Sequence, residues 1–342
     1  MSWQELGDGA MTMGRFLSLF AAAEIPCELV QRVTAALGWA TETMEEAREQ
    51  LAIRHLLQEV TLTGFRLHPL MREFFALKLD ESENGEEVRS VYVKALVEVA
   101  AEIPHIITLT QVAQFSPAIP HLKAIATSNL RLVPDEKLKD LFVGLAAFYY
   151  GQGAYAAAEP WQKKGVEVLR DRLGEDHPDY LTTLHNLAFL YESQGRYGDA
   201  EPLYLKVRDI KKQVLGEEHP SYLITLHNLA GLYFSQANFL KFPNATLLYI
   251  QVLKIEAKVL GWKHPSTRGS IQNLAGMLFF EVVLGWALIN FAIFFFQHPS
   301  WFALLRSVGY LFLAWILLRQ TLTNRIGNLF RRTWATRNQK RR

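Results

Sequence analysis

The sequence predicts a mainly α-helical protein with three parts: an N-terminal helical domain with a small hairpin, a stack of helix pairs, and a C-terminal hydrophobic helical hairpin. One segment recurs every 42 to 45 residues, as HPDYLTTLHNLAFLYESQG from His177, HPSYLITLHNLAGLYFSQA from His219 and HPSTRGSIQNLAGMLFF from His264. A fainter copy begins at Leu141, and two long apolar runs follow Met277. Self-similarity with a fixed period of this size is the signature of stacked helical pairs.

Each copy reads as two amphipathic helices. In the copy that starts at His177, Leu184, Leu187 and Tyr191 share one helical face at spacings of three and four residues. Gly195 supplies a helix end. The second helix is expected to turn these residues inward: Ala200, Tyr204 and Val207. Ala188 and Ala200 are small, which lets two helix backbones approach closely.

The segments LGEDHPDYLTTLHNLAFLYESQGRYGDAEPLYLKV (173–207) and LGEEHPSYLITLHNLAGLYFSQ (215–236) resemble the tetratricopeptide repeat, in the 42-residue form found in kinesin light chains. The resemblance implies an α-solenoid over residues 134–276. The third copy departs from the pattern, with three extra residues around Phe239 to Phe242. The fourth stops after Met277, halfway through a repeat.

The resemblance also implies a binding site. In this family the first helix of each pair lines a groove that takes an extended peptide, and an asparagine pairs with the peptide backbone, because its amide offers both a donor and an acceptor. The matching residues here are Asn186, Asn228 and Asn273, while Gly144 stands at that place in the first copy. The neighbouring groove positions are expected to be His185, Phe189, Glu192, His227 and Phe234. The alternative is that the asparagines only tie adjacent repeats together.

The His-Pro pairs at His177, His219 and His264 do not predict a metal site. They occupy equivalent places in successive repeats, so stacking separates them, whereas metal ligands converge on one ion. They are expected to be junction residues. No nucleophile motif and no Cys/His spacing for zinc occurs in the sequence. We therefore expect no catalytic residue, no metal and no cofactor.

The N-terminal part, residues 14–80, has the pattern of a winged-helix-like module. Short helices are expected at 14–23, 27–37 and 43–57, the last with Ala47, Leu51 and Leu56 inward, followed by a hairpin of strands 60–62 and 65–67. The segments FLSLFAAAEIP and RLHPLMREFFALKL resemble the winged-helix module of NB-ARC (STAND) signalling ATPases. In that family a histidine matching His68 touches the nucleotide, but this chain contains no G-x-x-x-x-G-K-[ST] phosphate loop. His68 is therefore expected to be a helix-start residue.

Nucleic-acid binding is not expected from this module. The candidate recognition helix carries Glu42, Glu45, Glu46 and Glu49 against only Arg48 and Arg54, and phosphate neutralisation supplies most nonspecific affinity for nucleic acid. Residues 88–133 are expected to form a helical connector that caps the first repeat.

The C-terminal part predicts membrane attachment. Residues 277–318 contain two apolar runs, MLFFEVVLGWALINFAIFFF and WFALLRSVGYLFLAWILL, each long enough to cross a bilayer core. Residues 282–342 hold nine Lys or Arg and no Asp or Glu. Eight of these nine lie in the basic tail, 319–342, and positively charged flanks stay cytoplasmic. The repeats and the tail are thus expected on the cytoplasmic face. A pair of buried core helices, and with it a cytoplasmic protein, is the alternative.

Two functions remain open from sequence. The first is a membrane-tethered adaptor that binds a protein or peptide partner. The second is a regulatory fragment of a STAND-type signalling ATPase whose nucleotide-binding domain is a separate chain. The single cysteine, Cys27, fits a reducing compartment. The sequence identifies neither the partner nor the oligomeric state.

Overall fold

The structure is a computed structural model that describes residues 6–59, 63–236 and 241–297. The chain divides into two compact units, Met1–Arg196 and Tyr197–Arg342, which are described separately below. The predicted repeat region, residues 134–276, therefore contributes helices to both units. The second apolar run and the basic tail lie outside the described residues.

The first unit begins with four helices and a three-stranded antiparallel sheet of order β1-β3-β2. The elements in chain order are α1 (Asp8–Leu17), β1 (Ile25–Pro26), α2 (Cys27–Ala36), α3 (Thr41–Ile53), β2 (Leu57–Glu59), β3 (Gly64–Leu67) and α4 (Pro69–Asp80). Helix α1 packs against α3 and α4, with Met13, Phe16 and Phe75 fully buried. Gly14 is required at this contact, because a Cβ there would collide with the Phe75 ring.

Several N-terminal boundaries differ from the prediction. Helix α1 starts at Asp8 rather than at residue 14, since Asp8 lies in the first turn, where the helix dipole favours a carboxylate. The first strand of the hairpin is 57–59, while residues 60–62, where we predicted it, lie outside the described part. Gly64 pairs with Pro26 in the sheet and is not in the predicted turn. The inward residues of α3 are confirmed: Ala47, Leu51 and Leu56 are buried.

The predicted connector, residues 88–133, packs within the first compact unit. Its main helices are α5 (Gly85–Glu102), α6 (Leu109–Phe115) and α7 (Ile119–Ser128), and α5 contacts both α2 and α7. Buried His121 on α7 accepts a hydrogen bond from the Ala21 amide at Nδ1 (3.0 Å) and donates from Nε2 to the Glu24 carbonyl (2.9 Å). Burial lowers the pKa of His121 to about 4. A neutral His121 therefore holds the segment before β1.

The repeat helices pack as consecutive neighbours within each unit. The first unit ends with α8 (Leu138–Tyr150), α9 (Tyr155–Leu173) and α10 (Pro178–Ser193), and the second contains α11 (Tyr197–Leu215), α12 (Pro220–Ser235), α13 (Phe242–Val259) and α14 (Pro265–Gln297). The residues predicted to face inward are all buried: Leu184, Leu187, Ala188, Tyr191, Ala200, Tyr204 and Val207. Gly195, after α10, has φ 76°, a conformation that favours glycine.

The fourth copy does not stop after Met277. Helix α14 runs without a break from Pro265 to Gln297 over 33 residues, so the predicted boundary at residues 276/277 falls inside a helix. The reason is the missing stop signal, since the residue equivalent to Gly195 in this copy is Val282. The aromatic rings of Phe234, Phe242 and Phe280 cluster with centroids 5.7–5.8 Å apart. This cluster fixes the start of the apolar run against α12 and α13.

One polar network occurs twice, at the same repeat positions. In the first unit, Glu159 accepts hydrogen bonds from Lys163, Gln194 and Arg196, and Arg196 lies 4.2 Å above the Tyr191 ring. The hydrogen bond from Lys163 is the main cause that lowers the pKa of Glu159.

In the second unit, Glu201 accepts from Gln236 and Lys241, and Lys241 lies over the Tyr233 ring. Burial acts to raise the pKa of Glu201, but these hydrogen bonds outweigh it and lower the pKa. Both glutamates are thus hydrogen-bonded within the repeats.

A second repeat position has changed its chemistry from copy to copy. It is occupied by Leu169 on α9, Lys211 on α11 and Glu256 on α13, all buried. Lys211 donates to the Ser221 carbonyl (3.3 Å) and the Thr225 hydroxyl (3.2 Å), and Glu256 accepts from the Ser270 hydroxyl at 2.6 Å. Burial lowers the pKa of Lys211 to about 8 from its ordinary value of 10.5.

We predict that Lys211→Leu stabilises the protein, because leucine is the residue at this position in the preceding copy and a buried ammonium is unfavourable. Since the folded-state pKa lies below the unfolded-state value, the unfolded chain binds more protons between about pH 8 and 10.5. Wild-type stability should therefore rise with pH across this window, and the rise should be smaller in the variant. The expected gain near pH 7 is about 1–3 kcal/mol, measured by denaturant unfolding.

The exposed neighbour Lys212, which pairs with Glu217, provides the control, and Lys212→Leu should not increase stability. A Lys211→Leu protein that is less stable than wild type, or that keeps the full pH dependence, would contradict the assignment.

Candidate functional site

The predicted asparagines lie on one face of their helices, together with three other positions at spacings of four, seven and eleven residues. We call this face the Asn stripe. Its members are Thr182, Asn186, Phe189 and Ser193 on α10, Ile224, Asn228, Gly231 and Ser235 on α12, and Gly269, Asn273, Gly276 and Phe280 on α14. On α10 and α12 every member is exposed or half-buried, while the flanking leucines are buried. The stripe is thus the open side of each helix.

On α10, the stripe is supported by Tyr150 of α8. The Tyr150 ring lies 5.7 Å from that of Phe189, and its hydroxyl is hydrogen-bonded to the Ser193 hydroxyl at 2.9 Å. Asn186 and Thr182 line a cavity of about 220 Å³ within the first unit. Asn186 is half-buried at this cavity.

Four of the predicted neighbours lie beside the stripe rather than on it. His185 is buried. Burial lowers the pKa of His227 to about 4, and its ring packs edge-on against Tyr249 of α13 at 5.3 Å. Phe234 belongs to the aromatic cluster with Phe242 and Phe280. Glu192 is half-buried one residue before Ser193. The rings of His227 and Phe234 pack against other helices, and only Phe189 of the predicted neighbours is a stripe member.

Four stripe members that were not predicted could have been found from the helical period. Counting four residues back and seven forward from Asn186 gives Thr182 and Ser193, and the same steps from Asn228 give Ile224 and Ser235. Ile224 is 55% exposed, which places a large apolar side chain beside Asn228. Apart from Phe189, the predicted neighbours are one residue before or six residues after Asn186 and Asn228, at the edge of that face.

Histidine caps a helix in each His-Pro pair of the described residues. His177, His219 and His264 accept a hydrogen bond at Nδ1 from the amide two residues later, at 3.1–3.2 Å. His68 does the same at the start of α4 with the Leu70 amide, at 3.3 Å. The cap satisfies one backbone donor that the helix itself leaves unpaired. Residues 6–59, 63–236 and 241–297 contain no group of three His, Cys, Asp or Glu that could hold a metal ion.

We predict that His177→Ala and His219→Ala each destabilise the protein by about 1 kcal/mol, because the capping hydrogen bond is lost. Asparagine is an efficient N-cap, so His177→Asn and His219→Asn should restore most of the stability. Thermal unfolding with and without a chelator measures both effects. Equal loss in the alanine and asparagine variants, or a chelator-dependent fall in wild-type stability, would favour a role other than capping.

Comparison with known proteins agrees with the repeat pattern. Residues 140–213 and 186–241 match the tetratricopeptide repeat family. Two crystal structures of a Podosopora anserina protein with nearly identical TPR-like repeats, described as a kinesin light chain, are 26% identical, with a TM-score of 0.44 each. They cover 57% and 55% of this chain and 87% and 86% of theirs.

A third crystal structure, of BtubC (BKLC) from P. vanneervenii, is 17% identical, with a TM-score of 0.43, and the match covers 73% of this chain and 82% of that one. No curated protein matches the chain. The chain therefore contains tetratricopeptide repeats, and repeats of this kind indicate a scaffold for protein–protein interaction.

Proposed function

We propose that the protein is a non-enzymatic scaffold that binds an extended peptide of a partner protein along the Asn stripe. The observation that carries the proposal is the recurrence of Asn186 and Asn228 at one repeat position on the open side of α10 and α12. An asparagine amide can donate to and accept from the backbone of an extended segment. A periodic set of such amides suits a ligand that is itself periodic, which is a peptide main chain.

The chemistry of the stripe suits backbone recognition with apolar side-chain contacts. None of its members on α10 and α12 is charged. Phe189 and Ile224 supply apolar surface, and Ser193 and Ser235 supply hydroxyls at equivalent places. An uncharged stripe gives weak long-range steering, so we expect specificity to come from shape and hydrogen bonding.

We further propose that α14 and the run beyond it tether the scaffold to a membrane. Among the described residues, Pro265–Asn290 is the one stretch long and apolar enough to span a bilayer. Its apolar segment has a mean hydropathy of 1.5, and 6% of that segment is buried. Phe279, Trp286 and Ile289 are each more than 60% exposed. The proposal rests on this exposed apolar face and on the tail 319–342, whose charged residues are all basic.

The N-terminal module supports the second candidate function, a regulatory fragment of a STAND-type ATPase. The element order α1-β1-α2-α3-β2-β3, with its small antiparallel sheet, supports the proposal that this module is winged-helix-like. The exposed carboxylates of Glu42, Glu45 and Glu49 on α3 disfavour nucleic acid as its partner. Under this alternative a separate chain with a phosphate loop would be the partner, and the repeats would act as its sensor.

We predict that replacing both Asn186 and Asn228 by alanine weakens a bound peptide, because each lost backbone pair is worth about 1–3 kcal/mol in a desolvated groove. Peptides selected on the full chain from a random displayed library provide the ligands, and fluorescence anisotropy provides the affinity. Gln213→Ala, which removes an exposed amide from α11, is the matched control. Unchanged affinity in a folded double variant would remove the stripe as the binding surface.

We predict that the full chain remains in membranes after extraction with salt and alkali, and that a reporter after Arg342 is cytoplasmic. Two truncated chains distinguish the loss of the membrane tether from the loss of helix packing. A chain ending at residue 280 keeps the aromatic cluster of Phe234, Phe242 and Phe280, whereas one ending at residue 276 loses a ring.

Both truncated chains should be released from the membrane, and the shorter should be less stable by about 1–2 kcal/mol, because each aromatic contact contributes about 0.5–1.5 kcal/mol. A full-length protein that stays soluble without detergent would exclude the tether.

A further inference from the structure

The first repeat helix carries glycine where the following helices carry stripe residues. Gly144 on α8 corresponds to Asn186, and Gly151, directly after α8, corresponds to Ser193. A Cβ at Gly144 would collide with the Ala100 carbonyl oxygen, and one at Gly151 with the Ile107 side chain. Residues 100–107 of the chain itself therefore lie along the face of α8 that would otherwise continue the stripe. This face is closed to a partner.

A cavity remains where that segment and α8 meet α10. Its volume is about 220 Å³. Ile103 and Val143 form part of its apolar wall, and Thr182 and Asn186 contribute the first two members of the stripe. Apolar-lined cavities of about 150 Å³ already admit a benzene ring. This cavity is thus large enough for one branched aliphatic or aromatic side chain.

The charged groups at the cavity are balanced. Lys139 pairs with Asp179 at 2.7 Å, and Asp140 lies 3.8 Å from Lys137. Burial lowers the pKa of His105, the remaining titratable group of the lining, so that its imidazole is neutral near pH 7. A charged side chain in the cavity would lose hydration without gaining a free counter-ion. An uncharged apolar side chain meets no such penalty.

We infer that this cavity is a specificity subsite for one large apolar side chain of the bound peptide, at the end of the stripe that residues 100–107 close. The inference rests on the proposed function, and adds to it the side-chain chemistry of the partner and the place where contact begins. Asn186 holds the backbone of one peptide residue at the cavity mouth. The side chain of this peptide residue enters the cavity between Ile103 and Val143.

The subsite can be tested without a partner, with capped amino acids as probes. N-acetyl amides of phenylalanine, leucine, glycine and lysine are titrated into the full chain in detergent, with isotope-labelled Ile and Val methyl groups observed by NMR. The phenylalanine and leucine probes should shift the Ile103 and Val143 methyl signals along saturating curves and give NOEs to them, while buried Val133 stays unchanged. The glycine and lysine probes should leave all three signals in place.

A blocking variant and its matched control complete the test. Thr182→Trp places a bulky side chain at the mouth from an exposed position, and Ile224→Trp places the same bulk at the equivalent position of α12. The first should weaken the phenylalanine probe at least tenfold and the second should not. Absence of wild-type shifts and NOEs, an equal response to the lysine probe, or full binding by Thr182→Trp would overturn the subsite.

The two levels of the proposal fail separately. If selected peptides depend on Asn186 and Asn228 but no probe enters the cavity, the subsite is wrong and the scaffold function stands. If the apolar probes bind while peptide affinity ignores both asparagines, the cavity binds its ligand and the stripe function is wrong.

Discussion

A repeat helix buries only part of its surface against its own partner helix. The open side of each repeat helix and the two ends of the repeat region follow from how the remaining apolar surface is covered. Buried alanines such as Ala188 and Ala230 let successive helices approach closely, and the side facing away from these contacts is left as the Asn stripe. Because packing fixes the buried side of each helix, the same repeat position is left open on α10 and on α12. That position is Asn186 in one helix and Asn228 in the other.

The same constraint makes each end of the repeat region a separate problem. At the start, α5 and the segment after it cover α8, and Gly144 provides the room for that close approach. At the far end of the described residues, α14 has apolar side chains such as Phe279 and Trp286 exposed. Covering one end with the chain's own residues ends the stripe there and leaves a cavity. The exposed apolar surface at the other end is the feature on which the proposed membrane tether rests.

Two polar positions within the repeats differ in how much the residue type changes from copy to copy. The network around Glu159 recurs around Glu201 with arginine replaced by lysine, so the charge-assisted hydrogen bonds are kept while the donor changes. The position held by Leu169, Lys211 and Glu256 has changed freely, and in each polar case a nearby hydroxyl provides a hydrogen bond. One or two hydrogen bonds accompany each buried polar group at this position, although they do not remove the penalty of burying a charge.

The sequence was sufficient to predict which residues of the repeat helices are buried. It was insufficient to predict details that depend on tertiary contacts. Leu184, Tyr191 and Val207 could be placed inward because helical periodicity alone determines them. The sequence did not place residues 57–59 in the hairpin, because the pairing of Leu57 with Leu67 is a contact between strands that local pattern does not determine. The packing of the His227 ring against Tyr249 could not be predicted, because Tyr249 belongs to another helix.

The central claim is that the open side of α10 and α12 receives a partner protein. Site-specific photo-crosslinking in living cells tests it most directly, with a benzophenone amino acid placed in turn at Thr182, at Ile224 and at exposed Gln213 on α11. The account predicts the same crosslinked partner from Thr182 and Ile224 and none from Gln213. A partner captured equally from Gln213, or from Gln213 alone, would contradict it.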